Sequence, residues 1–310
     1  MRCKKCGQKA CMEIRRHRAA FCPEHLIEHL QNQVARAIKK FKMFAPNEKL
    51  LVAVSGGKDS LALWDMLLDL GYQADGLYIN LGIGDYSVRS KEKSSNFAAS
   101  RNAVLYIVSL KEIYGVGVEH IAKKTSKAYC SACGLVKRYI MNLAASRGGY
   151  AAIVTGHNLD DEATTLLGNV LHWQVGYLGR QSPNMPAAGG LARKVKPLCR
   201  LTERETAAYC VIKGIDYIIE ECPMSVGATS LRYKEVLNFL ENHAPGTKDQ
   251  FYLGFLREGQ RYFLENTEEP ELKACSSCGQ PTTAEVCSFC RQMERAGLDP
   301  LAVHRAFATE

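Results

Sequence analysis

From residue 50 onward, short apolar runs alternate with amphipathic stretches of helical length, and this alternation constrains the fold more than any other feature of the chain. Five runs read as strands: LLVAV (50–54), DGLYINL (75–81), LYIVSL (105–110), AAIVTGH (151–157) and YIIEE (217–221). The stretches between and after them read as helices over 61–71, 88–101, 134–148, 159–172 and 202–214. The last has Thr202 before it and Glu205 three positions on, the signature of a capping box. Strands joined through helices of this length pair in parallel, so residues 50–264 are expected to form a doubly wound, Rossmann-like α/β sheet. Ligands of such sheets sit at the carboxyl ends of the strands.

SGGKDS (55–60) lies at such an end, between the first strand and its helix. Gly56 and Gly57 let the backbone turn with its N–H groups bare. Ser60 and the N–H groups of the helix start can hold an anion, helped by the helix dipole. The spacing is not that of the common kinase and GTPase loop, which needs four residues between its first glycine and Gly-Lys-Ser/Thr. A second glycine turn, GHNLDDEA (156–163), follows the fourth strand. Gly156 permits close approach of a ligand, and Asp160 and Asp161 open a helix where carboxylates suit the dipole. Adjacent carboxylates point different ways on a helix, so at most one faces a ligand, and either can serve as a cap instead.

Thirteen cysteines, an odd number, fit metal or catalytic roles better than a disulfide framework. Cys3, Cys6, Cys22 and His25 form two knuckles, and Cys275, Cys278, Cys287 and Cys290 form two more. Each set fills a tetrahedral zinc site with four protein ligands and leaves no catalytic vacancy. Two structural Zn²⁺ ions are therefore expected, in modules at 1–26 and 275–290. Cys11 lies off this spacing, and Cys210 sits in the apolar run AAYCVI. Cys130, Cys133 and Cys222 remain, in segments expected near the active face. Three thiolates can hold a [4Fe–4S] cluster at three of its irons. They can equally provide a Cys130/Cys222 redox pair that carries a persulfide, or be unconnected.

The formal charge is +8, and residues 1–44 alone carry eleven Lys/Arg against three Asp/Glu. A basic end of this kind, including the connecting helix expected within 27–49, suits a polyanion such as nucleic acid, with Arg15, Arg16 and Arg18 as candidate contacts. No apolar run reaches about 18 residues, and MRCKKC does not resemble a secretory signal, so a cytoplasmic location is expected. ENTEEPELKA (265–274) reads as a linker. Residues 172–196, rich in Gly and Pro, read as a loop that orders on RNA or as a long surface connection. The tail 291–310 carries no motif.

Ser55-Gly56-Gly57-Lys58-Asp59-Ser60 resembles the PP-loop of N-type ATP pyrophosphatases. Together with CxxCGxxKR (130–138), GHNLDDEA, EECP (220–223) and the cysteine modules, it resembles the tRNA 2-thiouridine synthetases of the TtuA type. The resemblance implies adenylation of the C2 oxygen of T-loop 5-methyluridine 54, then replacement of that oxygen by sulfur. By the same resemblance Ala53, Ser55, Gly56, Gly57, Asp59, Ser60, Ile79, Lys137 and Gly156 line the ATP site, with Mg²⁺ near Asp59. Cys130, Cys133 and Cys222 hold a [4Fe–4S] cluster with one iron open, and Lys137, Asp161 and Asp59 act in the chemistry. tRNA, a ubiquitin-like sulfur carrier with a C-terminal thiocarboxylate, and a homodimer are implied likewise. The alternatives are wobble-uridine thiolation by the sister family, a cluster-free persulfide enzyme, and a non-catalytic RNA-binding protein.

Overall fold

A computed structural model describes residues 1–225, 229–264 and 271–307. The elements run β1 (Met12–Ile14), β2 (Ala19–Phe21), α1 (Pro23–Lys40), β3 (Leu50–Val54), α2 (Lys58–Asp69), β4 (Ala74–Asn80), α3 (Gly84–Ser100) and β5 (Leu105–Ser109). Then follow α4 (Leu110–Tyr114), α5 (Val118–Thr125), α6 (Tyr129–Arg147), β6 (Ala152–Thr155), α7 (Leu159–Leu171), α8 (Val175–Gly179), β7 (Asn184–Met185) and β8 (Lys194–Val195). The chain continues through α9 (Glu203–Lys213), α10 (Thr229–His243), α11 (Thr247–Gly254), α12 (Arg261–Leu264), β9 (Lys273–Ala274), β10 (Pro281–Thr282), α13 (Ser288–Arg295) and α14 (Ala302–Ala306).

The main sheet has the order β5-β4-β3-β6-β8-β7. All its pairs are parallel except β7 with β8. Connections run one way from β3 to β4 and β5, and β6 then returns to the other side of β3. The crevice between the ends of β3 and β6 is thus the switch point of a doubly wound sheet. β3 is apolar on both faces because both are covered. On one face α2 buries Leu61, Leu63, Trp64 and Met66 completely, under α1 and α9. Each such side chain contributes about 1.5–3 kcal/mol of burial. On the other face α6 buries Val136, Ile140 and Leu143, beside α5 and the C-terminal ribbon.

Both cysteine modules are packed onto this body. Arg16, in the β1–β2 turn, is buried in an ion pair with Glu205 of α9 at 2.7 Å. Phe289 of α13 stacks on Tyr139 of α6, with centroids 3.7 Å apart. The tail without a motif is docked there too: Tyr139 Oη and His304 Nε2 are 2.6 Å apart, and Arg147 donates to the His304 carbonyl at 2.6 Å.

Three sequence expectations need correction. YIIEE (217–221) is not a strand. It crosses the active face of the sheet, where the Ile218 N–H donates to the Gly56 carbonyl at 2.9 Å. Ile218 is buried and Tyr217 packs partly on the core, while Ile219 is 82 % exposed, and the run pairs with no strand of the sheet. The helix expected from residue 134 starts at Tyr129, so Cys130 and Cys133 lie in its first two turns. Part of 172–196 forms α8, β7 and β8 at the sheet edge. Residues 265–270 of the expected linker lie outside the described residues.

Candidate active site

The SGGKDS loop turns at Gly56, whose φ is +75°. A Cβ there would lie 2.5 Å from the Ser90 carbonyl oxygen of α3. Ser60 Oγ accepts from the Ser55 N–H at 3.1 Å and donates to the Gly57 carbonyl at 3.0 Å, which ties the loop to the first turn of α2. Across the switch point, a Cβ on Gly156 would be 2.9 Å from the Ser60 nitrogen. Gly156 thus packs backbone to backbone on the start of α2, as Gly56 does on α3, and both positions need glycine.

Asp59 is held from three sides. Its Oδ1 accepts from Asn158 at 3.1 Å and from Thr206 at 2.5 Å, and its Oδ2 accepts from Lys58 at 2.8 Å. Burial alone would lower the Lys58 pKa, but Asp59 and Glu203 outweigh it and keep the ammonium charged. A divalent cation at Asp59 would take the place of Lys58 on Oδ2. Neither Asn158 nor Thr206 stood out in the sequence. Each is the partner of a carboxylate 99 or 147 residues away, a relation that only the fold reveals.

A cavity of about 360 Å³ opens above this loop. Ala53, Ser55, Asp59, Ser60, Ile79, Lys137 and Gly156 all line it, together with Cys133 and Cys222. Cys130 is exposed at the edge, with its Sγ 3.5 Å from the Met224 carbonyl. Burial pushes the Cys133 thiol pKa up and Lys137 opposes it, while charge on Cys222 and Cys130 adds to the rise. The three sulfurs thus feel one another. Among the described residues they do not form a group as tight as the two zinc-type sets. That suits ligands spread over several irons better than ligands of one ion.

Asp161 and Asp160 divide as adjacent carboxylates must. Asp161 closes a capping box with Asn158 and accepts from Lys234 at 2.9 Å. It is not among the residues lining the cavity. Asp160 is buried against Lys248. Two further lining residues, His157 and Lys194, were missed in the sequence. His157 was legible as the neighbour of Gly156. Lys194 was not, because a two-residue strand shows no period.

The remaining cysteines sort cleanly. In each four-ligand set the ligand atoms lie within 4.8 Å of one another. Cys6 and Cys22 sulfurs are 3.7 Å apart, and those of Cys278 and Cys287 are 3.8 Å apart. Tetrahedral Zn–S bonds of about 2.3 Å require about 3.8 Å, so both sets fit zinc. Cys199 and Cys210 are buried, which pushes both thiols up to about 12 and leaves them inert. Cys11 donates to the Phe21 carbonyl at 3.4 Å and belongs to neither set.

A family model of the PP-loop domain matches residues 27–226, and a model of the 2-thiouridine synthetase TtuA N-terminal LIM domain matches residues 2–27. Fold and loop together define a PP-loop ATP-binding protein. Among curated proteins, the tRNA-5-methyluridine(54) 2-sulfurtransferase of Thermus thermophilus is 51% identical over 95% of this chain and 91% of its own length. The protein of the same description from Pyrococcus horikoshii is 45% identical over 94% and 93%. The chain belongs to this family, the TtuA-type 2-thiouridine synthetases. A solved structure, the U34-tRNA thiolase NcsA from Methanococcus maripaludis with its [4Fe-4S] cluster, shares the fold. Its TM-score is 0.79 at 24% identity, over 95% of this chain and 96% of that one. Among the described residues no helix is long and apolar enough to cross a membrane.

Proposed function

We propose that this enzyme 2-thiolates 5-methyluridine 54 in the T-loop of tRNA, using ATP to activate the C2 oxygen. The observation that carries the reading is that one cavity joins the SGGKDS loop, Lys137 and two of the three cysteines Cys130, Cys133 and Cys222. Activation and sulfur delivery can therefore act on one base. The N–H groups of residues 56–60 and the hydroxyls of Ser55 and Ser60 hold the pyrophosphate end of ATP. Ile79 lies against the adenine or ribose. Asp59, once released from Lys58, places Mg²⁺. The C2 oxygen attacks the α-phosphate, pyrophosphate leaves, and Lys137 offsets the charge that builds there. Sulfur then bonds to C2 and AMP leaves with the former C2 oxygen.

Cys130, Cys133 and Cys222 fit a [4Fe–4S] cluster by donor set, and the cluster named for the fold neighbour agrees with that set. Such a cluster supplies, when bound, an iron position open to sulfide. Asp161 is a positioning group rather than a ligand of ATP, since its oxygens are already bonded to Asn158 and Lys234. The two cysteine modules each hold one Zn²⁺. A thiocarboxylated sulfur carrier, a homodimer and a cytoplasmic location complete the proposal. Mass spectrometry of tRNA nucleosides from cells lacking the protein tests it. The 2-thio group should vanish from 5-methyluridine 54 and persist on wobble uridine. Restoration by Cys133→Ser, or loss at the wobble position instead, overturns the reading.

A further inference from the structure

Lys194 is a cation without a partner. Its side chain is half-buried and lines the nucleotide cavity. Among the described residues no carboxylate lies within ion-pair distance of its Nζ, and no acceptor takes a hydrogen bond from it. The groups around it make this costly. Lys196 follows just after β8, and Arg138 of α6 adds a second like charge. The acid that acts on it, Glu162 of α7, already binds Lys196 at 2.7 Å. Lys137 of α6 and His157 after β6 line the same cavity.

The sheet register says where the side chain points. Leu51, Ile153 and Lys194 are aligned across β3, β6 and β8. Leu51 and Ile153 belong to the core beneath α6. Lys194 therefore projects on the α6 side of the sheet, the side from which Lys137 enters the cavity. Asp59 is the lone carboxylate lining the cavity among the described residues, and its oxygens are taken by Asn158, Thr206 and Lys58. A half-buried ammonium with no counterion, facing this cavity, is stabilised when an anion enters.

We infer that Lys194 is a second cationic ligand of the nucleotide phosphates, in addition to Lys137, and that its counterion is brought by ATP. The inference rests on the ATP-binding role proposed for this cavity. It goes further by assigning a phosphate contact to β8, an element outside both glycine turns. Burial, reinforced by Lys196 and Arg138, depresses the free ammonium to about 8. Binding of phosphate must raise that value, so the charged form binds better. ATP affinity is then full below pH 8 and falls as pH rises through it. Two neighbours are moved away from this window: burial holds His157 below its usual range, and Lys58 is raised.

Equilibrium binding of Mg-ATP to the metal-loaded protein, without tRNA, tests this at pH 7 and pH 9. Wild type should weaken by up to about tenfold between them, since the charged fraction of a group with pKa 8 falls by about that factor. Lys194→Gln should bind weakly at both and show no pH step. Lys194→Arg, which stays charged, should keep the affinity and lose the step. Melting curves establish that both variants are folded. If Lys194→Gln retains wild-type affinity and the wild-type pH step, the inference is wrong while the ATP site stands. If wild type binds no ATP at either pH, the proposed activity falls with it.

Discussion

Gly56 and Gly57 are neighbours in sequence and opposites in tolerance. Gly56 has φ +75° and would drive a Cβ into the Ser90 carbonyl. Gly57 is extended at φ −86°, and a Cβ there would meet nothing closer than the Ser55 hydroxyl at 3.4 Å. Gly56→Ala should therefore cost more than about 1 kcal/mol, seen as a lower Tm, and weaken ATP binding. Gly57→Ala should leave Tm nearly unchanged. The basic turn of the N-terminal module divides in the same way. Arg16 was read as a surface contact for a polyanion, but it is buried on Glu205. Arg16→Ala should destabilise by about 3–5 kcal/mol, because it leaves the Glu205 charge buried and unpaired. Thermal melts distinguish this from the small change expected for Arg18→Ala, on the exposed surface.

Among elements, α6 has two duties. Its first half carries Cys130, Cys133 and Lys137, and its back holds the ribbon through Tyr139 and Asn142 and the tail through Arg147. Cys290→Ser should lower bound zinc from about two per chain to about one, measured by metal analysis. It should also loosen the Tyr139–Phe289 stack, visible as lost near-ultraviolet circular dichroism. Folded protein with no zinc at all would refute both metal assignments. The parts legible in the sequence were those with local signals. Thr202 and Glu205 form the expected capping box, and both four-ligand sets converge as their spacing implies. YIIEE misled because its β-rich composition does not say which backbone it meets, and Ile218 bonds to the Gly56 carbonyl of the loop instead of to a strand. The start of α6 was misplaced because the cysteines were read as loop residues, whereas Ala132 and Val136 already belong to its buried stripe.

For the whole molecule, positive charge is not confined to the end where the sequence concentrates it. A second cavity of about 190 Å³ lies between α5 and α13, lined by Lys127, Arg291 and Arg295. It joins the ribbon to the catalytic body, and neither arginine has an acidic partner among the described residues. Arg291→Gln with Arg295→Gln should weaken tRNA binding and reduce the slope of log K against log salt by about 2. An unchanged slope in a filter-binding titration would place the RNA elsewhere.

The Arg16–Glu205 pair also dictates an order of assembly during synthesis. The two residues are 189 positions apart, and α1 packs on the same α9 that carries Glu205. At roughly 5–20 residues per second, the ribosome delivers the second partner about 10–40 s after the first. Throughout that interval Arg16 has no Glu205 to pair with. On the zinc assignment proposed above, Cys3, Cys6, Cys22 and His25 can staple the N-terminal hairpin before α9 exists, so metal supply at translation would favour closure of the larger core.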